Sequence, residues 1–190
     1  KGRENLLLQS NQFDTTWALT NSTLTSNQSG YDGTNNAWLF QSTSTFTRIT
    51  QTTTQTGVVA FSLYAKIGAS NFLLLEHIGS VAQGWFDLSN GTLGDVSGTG
   101  ISSNIESVGN GWYRCTLLSS QYTGGQTRIR VADNNSSSAT TASSNILIQD
   151  AQLEVGLAAT EYIESGATRG TAGILEDTPR FNYSFGASCP

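Results

Sequence analysis

The chain has 190 residues, only 12% of them charged, and a formal net charge of −5. Nucleic acids need a broadly positive surface, so this acidic chain is not expected to bind them. No run of about 18 apolar residues is present, so no membrane insertion is expected. The chain lacks methionine, which suggests a segment of a longer polypeptide. Its richness in Ser, Thr, Asn and Gly is typical of β-sheet proteins on virion or extracellular surfaces.

Alternation of apolar and polar residues predicts strands along most of the chain and no helix. The predicted strands are Asn5–Gln9, Thr15–Leu24, Ala37–Gln41, Thr45–Gln51, Gly57–Ile67, Asn71–Ile78, Gln83–Leu88, Gly100–Val108, Gly111–Ser119, Gln126–Asp133 and Asn145–Val155. Turn residues such as Asp32-Gly33 and Gly124-Gly125 separate them. About ten short strands with this spacing predict an all-β fold, an antiparallel β-sandwich of the jelly-roll type.

The strand pattern ends near Ser165, where a Gly-rich and then aromatic stretch begins. We therefore expect a β-sandwich domain over residues 1–164 and an extended connector or tail over residues 165–190. Cys115 falls on the core face of its strand and is interpreted as an interior thiol. A disulfide to Cys189 in the tail is the alternative.

Three predicted strands supply a candidate ligand-binding face. Their non-core positions are Tyr64, Lys66, Trp112, Arg114, Arg128 and Arg130. If the three strands share one sheet, its outer face is basic on an acidic molecule. Aromatic rings stack on the C–H faces of sugars, and guanidinium groups bind carboxylate or sulfate through paired hydrogen bonds. The pattern therefore predicts a glycan-binding groove, with an anionic glycan as a candidate ligand.

Other interpretations of the same residues stay open. A loop can cover Trp112, and the arginines can pair with Glu76, Asp133 or Asp150. A ligand can also bind the rim loops, where the candidates are Tyr31, Trp38, Trp85 and Tyr122. His77 alternates with leucines and is expected to be buried.

Several segments carry a family resemblance. They are Asn5–Trp17, Phe86–Thr92, Gly109–Arg114 and Ala151–Ile163, followed by the tail Thr178–Pro190. Together they resemble the jelly-roll repeats of phage tail-fibre and tailspike proteins, which are similar to carbohydrate-binding modules of the galactose-binding-like β-sandwich group. The resemblance implies glycan binding at a virion or extracellular surface, within a larger fibre that can be a homo-oligomer. Modules of this group often hold a structural calcium ion through an Asp pair in the last strand. Here Gln149-Asp150 offers one carboxylate, so Asp150 is only a weak calcium candidate.

The function predicted is that of a non-catalytic module anchoring a phage-tail or secreted protein to a polysaccharide. One alternative is a jelly-roll polysaccharide lyase acting on a uronate glycan. In it, Tyr64 or His77 would abstract the proton α to the uronate carboxylate, and Arg114 and Arg128 would neutralise its charge. A second alternative is a structural spacer or oligomerisation domain. The sequence shows neither a glycosidase-like carboxylate constellation nor a G-x-S-x-G nucleophile motif.

Overall fold

A computed structural model describes residues 3–79 and 81–172. The strands are β1 (Arg3–Glu4), β2 (Ala18–Thr20), β3 (Ser22–Gln28), β4 (Ala37–Ser42), β5 (Arg48–Thr53), β6 (Gly57–Ile67), β7 (Phe72–Ile78), β8 (Ala82–Asp87), β9 (Thr92–Ser97), β10 (Ile101–Gly109), β11 (Trp112–Tyr122), β12 (Gly125–Ala132), β13 (Asn145–Val155) and β14 (Thr171–Ala172). Within the described ranges, no helix is long and apolar enough to cross a bilayer.

The strands form two six-stranded sheets and one two-stranded pair. Sheet I has the order β10-β11-β6-β13-β4-β3, and sheet II has the order β2-β5-β12-β7-β8-β9. All pairings are antiparallel. The chain alternates between the sheets from β4 to β7 and again from β11 to β13. This interleaving is that of a jelly roll, so the predicted fold class is confirmed.

The core lies between the two sheets and is filled by alternate side chains of each strand. Phe61 and Leu63 of β6 meet Leu73 and Leu75 of β7 there, and all four are fully buried. Cys115 lies in the same cluster, as its place in the alternation predicts. The opposite side chains of each strand therefore point to the outer faces, which are the surfaces available for binding.

Side-chain hydrogen bonds replace the strand predicted over Asn5–Gln9. The buried Asn5 Nδ2 donates to the carbonyls of Ala151 (3.0 Å) and Ile163 (2.8 Å), and its Oδ1 accepts from Leu7 N (3.2 Å). An apolar run is thus buried without joining a sheet. The strand predicted over Thr15–Leu24 is divided at Asn21, whose φ is +50°, so that β2 and β3 belong to different sheets. Sequence alternation did not predict β9.

Residues 165–172 pack against the sandwich. Ser165 is buried, and its carbonyl accepts from Ser10 N at 3.0 Å. The carbonyl of Gly166 accepts from Gln9 N at 2.9 Å, and β14 pairs with β1. The domain boundary expected at residue 165 therefore falls inside a segment bonded to the sandwich. The rest of the expected connector, with Cys189, lies outside the described residues.

Candidate functional site

The structure brings four of the six predicted face residues together on sheet I. Arg114 lies opposite Tyr64 in the β11–β6 ladder, and Trp112 lies opposite Lys66. The Arg114 guanidinium carbon is 5.4 Å from the centre of the Tyr64 ring. Alternation therefore placed these four side chains correctly on one outer face.

Loops cover much of this face. Tyr31 stacks on Tyr64 with ring centres 3.8 Å apart and planes 7° from parallel, and its ring centre lies 6.3 Å from that of Trp112. Trp112 is only 2% exposed. Arg114 Nη2 donates to Ser62 Oγ (3.2 Å) and to the carbonyl of Thr160. In this arrangement the aromatic rings contact one another, leaving Trp112 covered.

Asp150 lies beneath the same loops, at a bulge in β13. Its φ is +54°, and its Oδ2 accepts from the Tyr31 hydroxyl at 2.9 Å. Burial raises the pKa of its carboxyl to about 6. In the described part of the chain, no group of three or more His, Cys, Asp or Glu residues is placed to hold a metal ion. The calcium site at Asp150 remains an untested prediction.

Arg128 and Arg130 lie on the other sheet. Their strand, β12, pairs with β5 and β7, so the expectation that all six residues share one sheet face is wrong. Alternation specifies which side of a strand a residue occupies, whereas partner strands are set by long-range pairing.

The outer face of sheet II carries a row of polar side chains, one from each of five neighbouring strands. In register across β5, β12, β7, β8 and β9, the row consists of Thr50, Arg128, Glu76, Gln83 and Ser97. Four inter-strand spacings separate its ends, which is about 19 Å. We call this set the polar row.

The two β12 arginines differ in their freedom to bind a ligand. Arg130 is 5% exposed, and its Nη1 lies 3.2 Å from Glu76 Oε2. Its remaining nitrogens donate to the carbonyls of Ser138 (2.8 Å) and Thr47 (3.3 Å). Arg128 keeps 17% of its side chain exposed, and its Nη1 lies 3.9 Å from Glu76 Oε2. Its Nε and Nη2 both donate to Gln126 Oε1, at 2.9 and 2.5 Å. Pairing of the arginines with Glu76 was one of the alternatives predicted from the sequence. The distance to the Glu76 carboxylate is short for Arg130 and long for Arg128.

The polar row has a local excess of positive charge. Arg128 and Arg130 share one carboxylate, that of Glu76, at 3.9 and 3.2 Å. Arg48 precedes by two residues Thr50, the β5 partner of Arg128. Burial, and then the charge of Arg48, lower the pKa of Arg128 from its usual value, while the charge of Glu76 raises it. The acidic molecule thus carries a basic region on sheet II.

Grooves adjoin both ends of the polar row. A groove of about 380 Å³ begins at Thr50 and Gln126 and has Arg169 in its lining. A second groove, of about 600 Å³, is lined by Gln83, Trp85, Gly94, Asp95, Val96, Ser97 and Ser136. The face therefore carries a polar strip with a depression at each end, in which Arg128, Gln83 and Ser97 keep exposed surface. Thr50 and Glu76 are buried within the strip.

The predicted rim aromatics do not form one site. Trp85 lines the larger groove but is 4% exposed, and its Nε1 donates to the carbonyl of Ser137 at 2.7 Å. Trp38 is nearly buried, with Nε1 donating to the carbonyl of Asn11 at 2.9 Å. Tyr122 lies in the core, its hydroxyl 2.8 Å from Thr53 Oγ1. Tyr31 is the half-buried residue of the four and contacts Tyr64 instead.

The lyase constellation is not assembled. His77 is fully buried on the core side of β7, 3.2 Å from Thr127 Oγ1, and burial lowers its pKa to about 4. Tyr64 and Arg114 lie on sheet I, while Arg128 lies on sheet II. The four residues of the lyase alternative therefore do not lie in one site.

Sequence reasoning missed Glu76 and Gln83 as parts of a face. Both occupy non-core positions of predicted strands, so the same alternation that selected Arg128 could have found them. Asp95 and Ser136 carried no such signal, because β9 and the 133–144 loop reach sheet II through tertiary packing.

Comparison with solved structures finds a likeness to a xylanase. A solved structure of the CBM22-1 and GH10 modules of Clostridium thermocellum endo-1,4-β-D-xylanase 10B, complexed with xylohexaose, aligns with 9% identity and a TM-score of 0.44. The alignment covers 85% of this chain and 29% of that one. No family model matches the sequence. No curated protein matches it either.

Proposed function

We propose that this domain is a non-catalytic carbohydrate-binding module whose ligand lies along the polar row of sheet II. The observation that carries the proposal is the row itself, which runs in register across five strands between two grooves. Its accessible members are Arg128, Gln83 and Ser97, whereas Thr50 and Glu76 are buried. A polysaccharide is long, narrow and covered with hydroxyl groups, so it matches a strip of donors and acceptors about 19 Å long.

An anionic polysaccharide suits this face best. Arg128 retains exposed surface, and Arg48 lies beside it. A guanidinium group binds carboxylate or sulfate with planar, charge-assisted hydrogen bonds. At the far end, Gln83, Asp95 and Ser136 offer both donors and acceptors for neutral hydroxyl groups. The ligand expected is therefore a uronate-containing or sulfated chain.

The biological role we propose is attachment of a larger phage-tail or secreted protein to a glycan at the virion surface or outside the cell. Weak binding by one domain is enough for this role when several copies act together, because linkage raises the effective concentration of each further site. A homo-oligomeric fibre would supply those copies.

Affinity gel electrophoresis tests the proposal with three immobilised polymers: a polyuronate, a sulfated polysaccharide and a neutral glucan. We expect retardation by at least one charged polymer and loss of that retardation at about 1 M salt, where charges are screened within about 3 Å. Retardation by none of the three would contradict the proposal. Binding that is unaffected by salt would contradict its anionic version.

Two matched variants locate the site. Arg128→Gln removes a cation from the polar row, and Lys66→Gln removes one from the opposite sheet. We expect Arg128→Gln to weaken binding about ten-fold, the loss typical of one hydrogen bond to a charged group, and Lys66→Gln to leave it unchanged. Equal effects of the two variants would show that net charge, not the polar row, controls binding.

A further inference from the structure

A separate groove lies on the outer face of sheet I, at its β10 edge. Its volume is about 240 Å³. The floor comes from β11, one wall from β10 and the other from the loop after β13. The lining residues are Asn104, Glu106, Arg114, Thr116, Leu118, Leu157, Ala158 and Ala159. We call this the edge groove.

Buried polar groups hold the loop that forms the second wall. The Glu154 carboxylate accepts from Thr160 N and Thr160 Oγ1, both at 2.7 Å. Gln152 Oε1 accepts from Ile163 N at 2.6 Å, and Arg114 Nη2 donates to the Thr160 carbonyl. Glu154 is 2% exposed and Gln152 is fully buried. The wall is therefore fixed before any ligand arrives.

The polar end of the edge groove has a cation opposite an anion. Arg114 and Glu106 are direct partners in the β10–β11 ladder, which places their Cβ atoms about 5 Å apart. Among the described residues they form no ion pair with each other. Arg114 Nε is also buried without a hydrogen-bond partner in that part of the chain. Donor and acceptor capacity thus remains unused at this end.

The charge pair selects the ligand. Glu106 repels a carboxylate or sulfate, and Arg114 repels an ammonium group. A neutral amide has a carbonyl that accepts from the guanidinium and an N–H that donates to the carboxylate. It therefore satisfies both residues at once.

The other end of the edge groove is apolar. Leu157 is 76% exposed, the largest exposure among the large apolar side chains of the described residues. It lies in the lining with Leu118, Ala158 and Ala159. A methyl group placed here removes apolar surface from water, which is favourable.

We propose that the edge groove binds an acetamido group, as found on N-acetylated amino sugars. The amide lies between Arg114 and Glu106, and the methyl group contacts Leu157 and Leu118. This site is on the opposite sheet from the polar row, so it goes beyond the proposed function and does not depend on it.

Titration of the ¹⁵N-labelled domain with N-acetylglucosamine tests the proposal, with glucose and glucosamine as matched probes. We expect amide shifts clustered at Asn104, Thr116 and Ala158 with N-acetylglucosamine alone. Equal shifts with glucose would overturn the acetamido assignment, as would stronger binding of glucosamine. Shifts confined to sheet II, or no shifts, would overturn the site.

Variants separate this site from the polar row. Leu157→Ser should weaken N-acetylglucosamine binding at least about three-fold, because the methyl contact is lost. Val155→Ser, an exposed position outside the groove lining, is the control and should have no effect. Arg128→Gln should also leave this binding unchanged, even though it impairs binding to the charged polymer. An unchanged affinity in Leu157→Ser would overturn the proposal.

Discussion

Arg130 Nη1 lies 3.2 Å from Glu76 Oε2, and neither residue is more than 5% exposed. Glu76 Oε1 accepts from Gln83 Nε2 at 2.6 Å, and Arg130 Nη2 donates to the Ser138 carbonyl at 2.8 Å. The pair therefore links β7, β8 and β12 to the 133–144 loop. It forms the fixed base of the polar row, beside which Arg128 remains partly free.

Replacing Arg130 with methionine should destabilise the domain strongly. The substitution keeps most of the side-chain volume but removes the closer of the two cations from the buried Glu76 carboxylate, leaving only Arg128 at 3.9 Å. Breaking a buried pair in this way typically costs about 3–5 kcal/mol. Urea unfolding followed by tryptophan fluorescence measures the loss as a lower transition midpoint.

The exposed pair between Glu4 and Arg169 provides the control. Its atoms are 3.5 Å apart, but each side chain is 41% exposed. Glu4→Gln should therefore change the unfolding free energy by less than about 1 kcal/mol. If Arg130→Met were equally mild, the ion pair would not be the fixed base described above.

Strand alternation predicts which side of a strand a residue occupies, and it did so for Tyr64, Trp112 and Arg130. It does not reveal which strands become neighbours, because that depends on contacts distant in sequence. The two β12 arginines were therefore predicted to share a sheet with Tyr64 and Trp112, whereas the structure places them on sheet II. The jelly roll itself was predictable, since it follows from the number of strands and their turns.

The positions of the loops over the outer face of sheet I could not be predicted from the sequence. Tyr31 covers Tyr64 across 33 residues of chain, and Thr160 reaches Arg114 across 46. Neither contact leaves a periodic pattern, since both come from irregular segments. Trp112 was predicted on an outer face, and it lies there. That a loop covers its ring could be stated from the sequence only as an alternative.

Trp112 should prove structural. Trp112→Ala removes a ring that is 2% exposed and packs with Tyr31 and Tyr64, so we expect a loss of about 3–5 kcal/mol in unfolding free energy. Trp112→Phe keeps an aromatic ring and should cost less. Polysaccharide binding should persist in Trp112→Phe, measured by the same affinity gels. If a folded Trp112→Phe variant no longer bound polysaccharide, Trp112 would belong to the ligand site.

Asp150→Asn should stabilise the domain at high pH. The pKa of this carboxyl is raised to about 6 in the folded state, from 3.8. Its contribution to stability is therefore complete below pH 3.8 and is lost as the pH rises through 6. Asparagine cannot ionise, so it removes the free-energy cost of a buried carboxylate. It also tolerates the positive φ at this position and still accepts a hydrogen bond from the Tyr31 hydroxyl. We expect a gain of about 3 kcal/mol at pH 8 and none attributable to ionisation at pH 3.5.

A control on Asp32 tests whether burial is the cause. Asp32 is exposed and accepts from Thr34 Oγ1 at 2.7 Å, and its pKa is lowered rather than raised. Asp32→Asn should therefore give no gain at pH 8. Stabilisation by both asparagine variants would indicate relief of general negative charge instead.

His77 should produce the opposite pH dependence. Burial lowers its pKa to about 4 in the folded state, whereas it is 6.5 in the unfolded chain. The unfolded state therefore binds the proton first, and stability is lost as the pH falls from 6.5 through 4. The shift corresponds to about 3 kcal/mol.

His77→Phe keeps a ring beside Phe61 and Tyr122 but cannot titrate. The unfolding free energy of the wild type minus that of His77→Phe should therefore fall by about 3 kcal/mol as the pH is lowered from 6.5 to 4, because only the wild type has a buried imidazole that the unfolded chain protonates first. Parallel curves between pH 6.5 and 4 would mean that this histidine is protonated without opening the core.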